Sequence, residues 1–298
     1  MAAEPTTTDP GRTRDAEALH APRHHPKRVW RTYLVLVLVA AFFLFPLLFM
    51  LAGAFKPNVL VLAEGNTIRA FWPTNATLSN FLAAFERANF GQLFVNSTII
   101  ASFVVGLGLI VNSLIGYGLS RLPFRGSNLI LLGIIALMII PLEAVAIPLL
   151  WMMSEVGLRN TYTVQILPFI ANPLFIYLFY TFFLAIPRDL EEAARVDGAG
   201  PLATFLRISV PLAKPAYATV GILSFLFIWG QLLWPVLVTS GPDVRPLPLG
   251  ISVFVHQPPV NWGDIMAFAL MMTLPLLVVF ILFQRWFVQS VASSGIKG

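Results

Sequence analysis

Six long runs of apolar residues, separated by shorter polar stretches, organise this chain. They cover residues 33–55, 94–119, 129–153, 164–186, 217–239 and 265–288. Each is long enough to cross about 30 Å of hydrocarbon as a helix with some tilt. The pattern predicts an all-α integral membrane protein with six transmembrane helices, and the even count puts both termini on one side. Residues 1–30 are polar, rich in Pro, Thr, Arg and His, and show no apolar periodicity, so they read as a disordered tail. Residues 31–298 read as one multi-span domain. Between the fourth and fifth runs the pattern changes character: residues 187–215 return to a helical spacing built from charged and small side chains.

Composition agrees with the pattern. Hydrophobic residues make up 57% of the chain and charged residues only 11%, against about a quarter charged in soluble domains. Absence of cysteine excludes a disulfide framework and a thiolate metal site. The formal net charge is +5, but the basic residues are scattered between spans, which points to membrane orientation rather than nucleic acid. With the N-terminus inside, fourteen of the 19 Lys and Arg fall on the cytoplasmic side, and Lys56, Arg69, Arg87, Arg159 and Arg245 fall outside. Both termini and residues 187–215 are therefore placed in the cytoplasm. Lys27, Arg28 and Arg31 ahead of an apolar run and Ala52-Gly53-Ala54 imitate a secretory signal, but the run is too long and holds Pro46, so it reads as a retained first helix.

The stretch EEAARVDGAG, residues 191–200, carries the densest local chemistry. Asp189 is a candidate N-cap, with Glu192 completing a capping box. Glu191 and Arg195 have the spacing of a helix-surface ion pair. Gly198 and Gly200 are expected to take positive φ at a sharp turn, Pro201 to start a second helix, and Leu202, Phe205 and Leu206 to form its apolar stripe. Helix caps and solvated faces account for the charged residues one by one. They account less well for a connection this long being structured at all, since a plain link between spans needs only a few residues. Ala193, Ala194, Gly198 and Gly200 leave a low-profile surface that another backbone can approach, and docking is the sharper reading.

The spacing Glu192-Ala193-Ala194, then Gly198, Ile208 and Val210-Pro211, resembles the "EAA" signature of permease subunits in bacterial and archaeal ABC importers, with Val210 where the family usually has Leu. The flanks DLEEAARVDGAG and VPLAKPA resemble the carbohydrate-uptake branch, subunits similar to the maltose permease G component. So do NSLIGYGLSRLPFRG, GLRNTYTVQILP and the final stretch from Asn261, although Ser290 stands where that branch commonly has Gly. The resemblance implies a multi-pass subunit of the cytoplasmic (inner) membrane whose loop forms a coupling helix against an ATP-binding subunit. Its contact residues would be Glu191, Glu192, Ala193, Ala194, Asp197, Gly198 and Ala199, with Glu192 meeting a basic residue of the partner. It also implies a second permease subunit, two ATP-binding subunits that bind ATP and Mg, an extracytoplasmic solute-binding protein, and a sugar substrate. Glycerol 3-phosphate is the alternative solute within the family.

An enzyme reading finds no support in the sequence. None of the four lysines, Lys27, Lys56, Lys214 and Lys297, follows a glycine, so there is no phosphate-binding loop, and no cofactor or metal is assigned to this chain. The rival from another class is an ion-coupled secondary transporter, which needs ionisable groups at membrane depth. Only Glu143 lies well inside a predicted span, between Pro141 and Pro148 of a kinked third helix. It either faces the pathway or sits near the outer surface against a neighbouring helix. Asn172, Trp229, Gln231 and Trp234 are further pathway candidates, since amide and indole groups suit sugar hydroxyls and faces; the competing role is to hold helices together. Gly106, Gly108, Gly116 and Gly118 are expected to allow tight helix packing. The outer loop of residues 56–92 is expected to hold short interfacial helices and, with residues 243–264, to face the solute-binding protein.

Overall fold

The computed structural model describes residues 26–73 and 75–295. Most of the predicted tail, with His20, His24 and His25, lies outside the described residues, as do the closing residues 296–298. Among the described residues all regular structure is helical, with no strand. Three helices are long and apolar enough to cross a membrane: Trp30–Ala54, Phe90–Arg121 and Trp262–Gln284. Three further bent pairs raise the number to six if each pair is one span.

The chain divides into two compact units at Phe49. The first holds most of helix α1 (Pro26–Ala54), whose side chains from Trp30 to Leu48 are all exposed. Hydrocarbon is the solvent that such a surface of Phe, Leu and Val suits.

The second unit begins with two short helices in the predicted outer loop, α2 (Asn58–Ala63) and α3 (Ser79–Arg87). There follow α4 (Phe90–Arg121), α5 (Ser127–Leu137), α6 (Leu142–Glu155), α7 (Tyr162–Ile166) and α8 (Pro173–Ala185). The chain then runs through α9 (Arg188–Val196), α10 (Pro201–Thr204), a π-helical turn at Phe205–Ser209, and α11 (Val210–Leu212). It ends with α12 (Lys214–Trp229), α13 (Leu233–Val238), α14 (Ile251–His256) and α15 (Trp262–Gly295).

Two of the predicted spans break at a proline, which lacks an N–H for the helix ladder and pushes its predecessor out of the helical region, whereas Pro46, Pro148 and Pro275 lie inside unbroken helices. The third run is not one kinked helix: α5 and α6 meet at 104° around Pro141, which is extended at φ −71°, ψ 150°. The fourth bends by 41° ahead of Pro173. The fifth stops at Trp229, with Gly230 as C-cap, and resumes only as α13. The second and sixth runs are continuous, within α4 and α15.

Helix α4 is the axis of the second unit. At 32 residues it is about 48 Å long, and it packs most extensively against α8. Its two ends hold different things. Near Phe90, Asn96 donates to the carbonyls of Asp243 (2.9 Å) and Arg245 (2.8 Å), and Ser97 Oγ accepts from Leu247 N–H at 2.7 Å. These bonds fasten the loop before α14. Arg87 of α3 pairs with the buried Asp264 of α15 at 2.8 Å, and Asn58 donates to the same carboxylate at 3.1 Å. At the Arg121 end, Tyr117, Phe175, Phe179, Phe183 and Val220 form a largely aromatic core that Phe205 of the π-helical turn joins. Of the four glycines expected to permit close packing, only Gly116 does so decisively: a Cβ there would stand 2.7 Å from Phe179 Cβ and 2.9 Å from Tyr180 N. Gly108 has ordinary neighbours at 3.5 Å, and Gly106 and Gly118 face open space.

Candidate functional site

Helix α9 starts two residues earlier than the sequence suggests. Pro187, at φ −56° and ψ 134°, occupies the N-cap position, and no side chain caps the helix. Asp189 is therefore inside the first turn, and the capping box with Glu192 does not form. With Pro187 fixing the backbone direction, Asp189 and Glu191 contribute to the helix start only as charge at the positive end of the dipole.

The far end closes as predicted at Gly198 but not at Gly200. Gly198 has φ +83°; its N–H bonds to Arg195 O at 3.0 Å, and Ala199 N–H bonds to Ala194 O at 2.9 Å. This is the paired-bond closure that favours glycine just past a helix. Gly200 instead is an ordinary N-cap at φ −72°, with Pro201 beginning the next helix behind it. Extended backbone suffices there because the turn is already made two residues earlier.

The helix presents two faces. Glu191 and Ala194 are its only buried residues. Glu192, Ala193, Arg195, Asp197 and Gly198 are exposed, and Val196 is 89% exposed. Ala199 is half-buried. The expected Glu191–Arg195 surface pair is absent: Glu191 turns inward and pairs with Arg121, Nε to Oε1 at 3.4 Å. Helical spacing alone puts Glu191 and Arg195 near one another, but the inward side of the helix is the one on which Glu191 meets Arg121 and Ser209. The apolar stripe on the second helix also divides: Phe205 is buried, whereas Leu202 and Leu206 are exposed, as is Leu190 of α9. Exposed aliphatic side chains and carboxylates, with small residues between them, suit a protein partner. Beside α9 lies an open cleft of about 300 Å³ bordered by Ser120, Arg121, Ser127, Arg188, Glu191 and Glu192. Arg121, Leu190 and Val196 were missed by sequence reasoning. Arg121 stands in the basic flank of a span, and that signal was used only for orientation.

The pathway candidates do not converge on one cavity. Asn172 caps α8, its Oδ1 accepting from Leu174 N–H at 3.0 Å and its own N–H donating to Asn112 Oδ1 at 2.8 Å. Trp229 and Trp234 are buried, and each gives its indole N–H to a helix carbonyl: Met272 O at 3.1 Å and Val164 O at 2.8 Å. Both indoles act as interhelical ties. Gln231 is half-buried beside a narrow gap that it borders with Ser97, Gln165 and Trp234. Glu143 is exposed in the first turn of α6, directly after the bend.

Comparison with known proteins gives a consistent result. Residues 105–293 match the family model described as "Binding-protein-dependent transport system inner membrane component". The chain is 33% identical over 270 residues to the arabinooligosaccharides transport system permease protein of Halalkalibacterium halodurans, covering 90% of this chain and 96% of that one. It is 32% identical over 265 residues to the trehalose transport system permease protein of Mycobacterium tuberculosis, covering 88% and 95%. The fold is similar to that of a chain in the crystal structure of a bacterial ABC transporter for the acidic polysaccharide alginate. The TM-score is 0.79 at 22% identity, over 90% of this chain and 100% of that one.

Proposed function

Because this chain belongs to the family of binding-protein-dependent transport system inner membrane components, we propose that it is one permease subunit of an ATP-driven importer for a di- or oligosaccharide. It crosses the inner membrane six times, with both termini and α9 in the cytoplasm. A second permease subunit completes the pathway, two separate ATP-binding subunits bind ATP and Mg and carry out hydrolysis, and an extracytoplasmic protein delivers the solute. The saccharide class rests on the names of the relatives, whose transport systems handle arabinooligosaccharides and trehalose.

One observation carries the mechanical part of this reading. α9 keeps two of its nine residues buried and exposes the rest, at the opposite end of an axis of about 48 Å from the loops tied by Asn96. That separation supports a reading in which α9 and the outer loops lie on opposite sides of the membrane. In this reading α9 sits against the ATP-binding subunit through Glu192, Ala193, Asp197 and Gly198, and closure of those subunits tilts the attached spans as rigid bodies. Glu191, Ala194 and Ala199 support that surface from behind.

The test is Glu192→Lys in the assembled complex. The variant is expected to insert and assemble but to lose ATP hydrolysis stimulated by the loaded binding protein, because an exposed carboxylate that meets a basic partner residue becomes a like charge. Normal stimulated hydrolysis and transport in that variant would refute the docking role of α9.

A further inference from the structure

Arg121 is the last residue of α4, and its side chain is 2% exposed. One guanidinium nitrogen donates to the carbonyls of Phe183, in the last turn of α8, and of Ile186, its C-cap; Phe183 O also accepts from Ile186 N–H at 3.1 Å, and carbonyls at a helix C-terminus favour a cation. The guanidinium Nε faces Glu191 in an ion pair whose geometry falls short of a hydrogen bond. Glu191 Oε1 also accepts from Ser209 Oγ at 3.3 Å, and Ser209 is fully buried in the π-helical turn. Four segments thus meet at one buried pair of charges: the ends of α4 and α8, the helix α9, and the turn leading to α12.

The alternative holds on α9 are few. Its other buried residue is Ala194, whose methyl group gives little directional constraint. Its covalent links run through Pro187 and the Gly198 turn, at its two ends. A planar guanidinium held by two carbonyls does fix where the carboxylate must sit. From this geometry, and resting on the docking reading above, we propose that the Arg121–Glu191 pair sets the rotational orientation of α9, which makes Arg121 a positioning residue for energy coupling. It holds Glu192, Ala193 and Val196 outward and passes displacement of α9 to α4 and α8 together.

The experiment uses the assembled transporter with its own binding protein, purified from the host with whatever solute it carries. The chain has no cysteine of its own, so spin labels at Ala193→Cys and Leu114→Cys report the orientation of α9 against α4. A maleimide cross-linker at Ala193→Cys reports contact with the ATP-binding subunit. Arg121→Ala and Glu191→Gln each leave a buried partner unmatched and are expected to assemble poorly. Arg121→Met combined with Glu191→Met removes both charges, a replacement that buried pairs often tolerate, and is expected to restore assembly. In that double variant the interspin distance distribution should widen, and stimulation of ATP hydrolysis by the binding protein should fall by about fivefold or more, the lower range of typical coupling. An unchanged narrow distribution with full stimulation would overturn the proposal. Failure of the double variant to assemble would overturn it too, by assigning the pair to folding alone. Absence of the cross-link in a chain carrying only Ala193→Cys would instead overturn the docking reading beneath it.

Discussion

Gly116→Ala probes the closest approach between α4 and α8. A Cβ at that position would stand 2.7 Å from Phe179 Cβ, 2.9 Å from Tyr180 N and 3.1 Å from Ile176 O. Ordinary contact begins at 3.4 Å, so the worst shortfall is about 0.7 Å, comparable with the strain of inserting an extra methylene into a packed core. None of the three atoms can swing aside, since two are backbone and the third is the root of a side chain. α8 as a whole must move, at a cost of about 1–3 kcal/mol. Alanine also gains helix propensity over glycine, up to about 1 kcal/mol in an exposed helix. Gly118→Ala serves as the reference because it receives the same gain, lies two residues along the same helix, and has nothing within 4 Å of its added Cβ. The difference between the two variants then isolates the clash. Thermal unfolding in detergent measures it: at about 2–4 °C per kcal/mol for a chain of this size, Gly116→Ala should melt roughly 2–12 °C below Gly118→Ala. Equal or reversed melting temperatures would show that α4 and α8 are not pressed together at Gly116.

Two further outcomes are expected. Gly198→Ala should cost about 1–2 kcal/mol from left-handed strain although its Cβ meets open space, whereas Gly200→Ala should be nearly neutral because that glycine is at φ −72°; chemical denaturation of the two variants compares them directly. Trp234→Phe keeps most of the buried ring but strands Val164 O, so it should lower stability by about 1–3 kcal/mol and leave solute affinity of the assembled transporter unchanged; a selective loss of affinity would assign Trp234 to the transport pathway instead.

The limits of sequence reasoning are clearest around α9. Its existence, its end at Gly198 and the start of the next helix at Pro201 follow from local rules, because a positive-φ turn and a proline at the first helical position each act over a few residues. The capping box failed because Pro187 holds the N-cap position, two residues before Asp189. The Glu191–Arg195 pair failed for a different reason. Spacing of four residues makes such a contact available, but Glu191 found a buried guanidinium 70 positions earlier in the chain, and no local pattern distinguishes the two. The indoles of Trp229 and Trp234 carry the same lesson: residue type suggested sugar contact or interhelical bonding, and the carbonyls of Met272 and Val164 show the bonding.

By itself, the sequence determined the apolar surroundings of this protein, its helical class and both the existence and the end of the helix between the fourth and fifth apolar runs, since hydropathy, helical period and turn chemistry are summed over neighbours along the chain. Tertiary structure alone decided which runs stay straight, which of several glycines admits a neighbouring backbone, and which of two adjacent glutamates turns inward. Those outcomes depend on atoms brought together from distant positions, as when α8 closes to contact at Gly116 and Arg121 reaches from the end of one helix to the carbonyls of another.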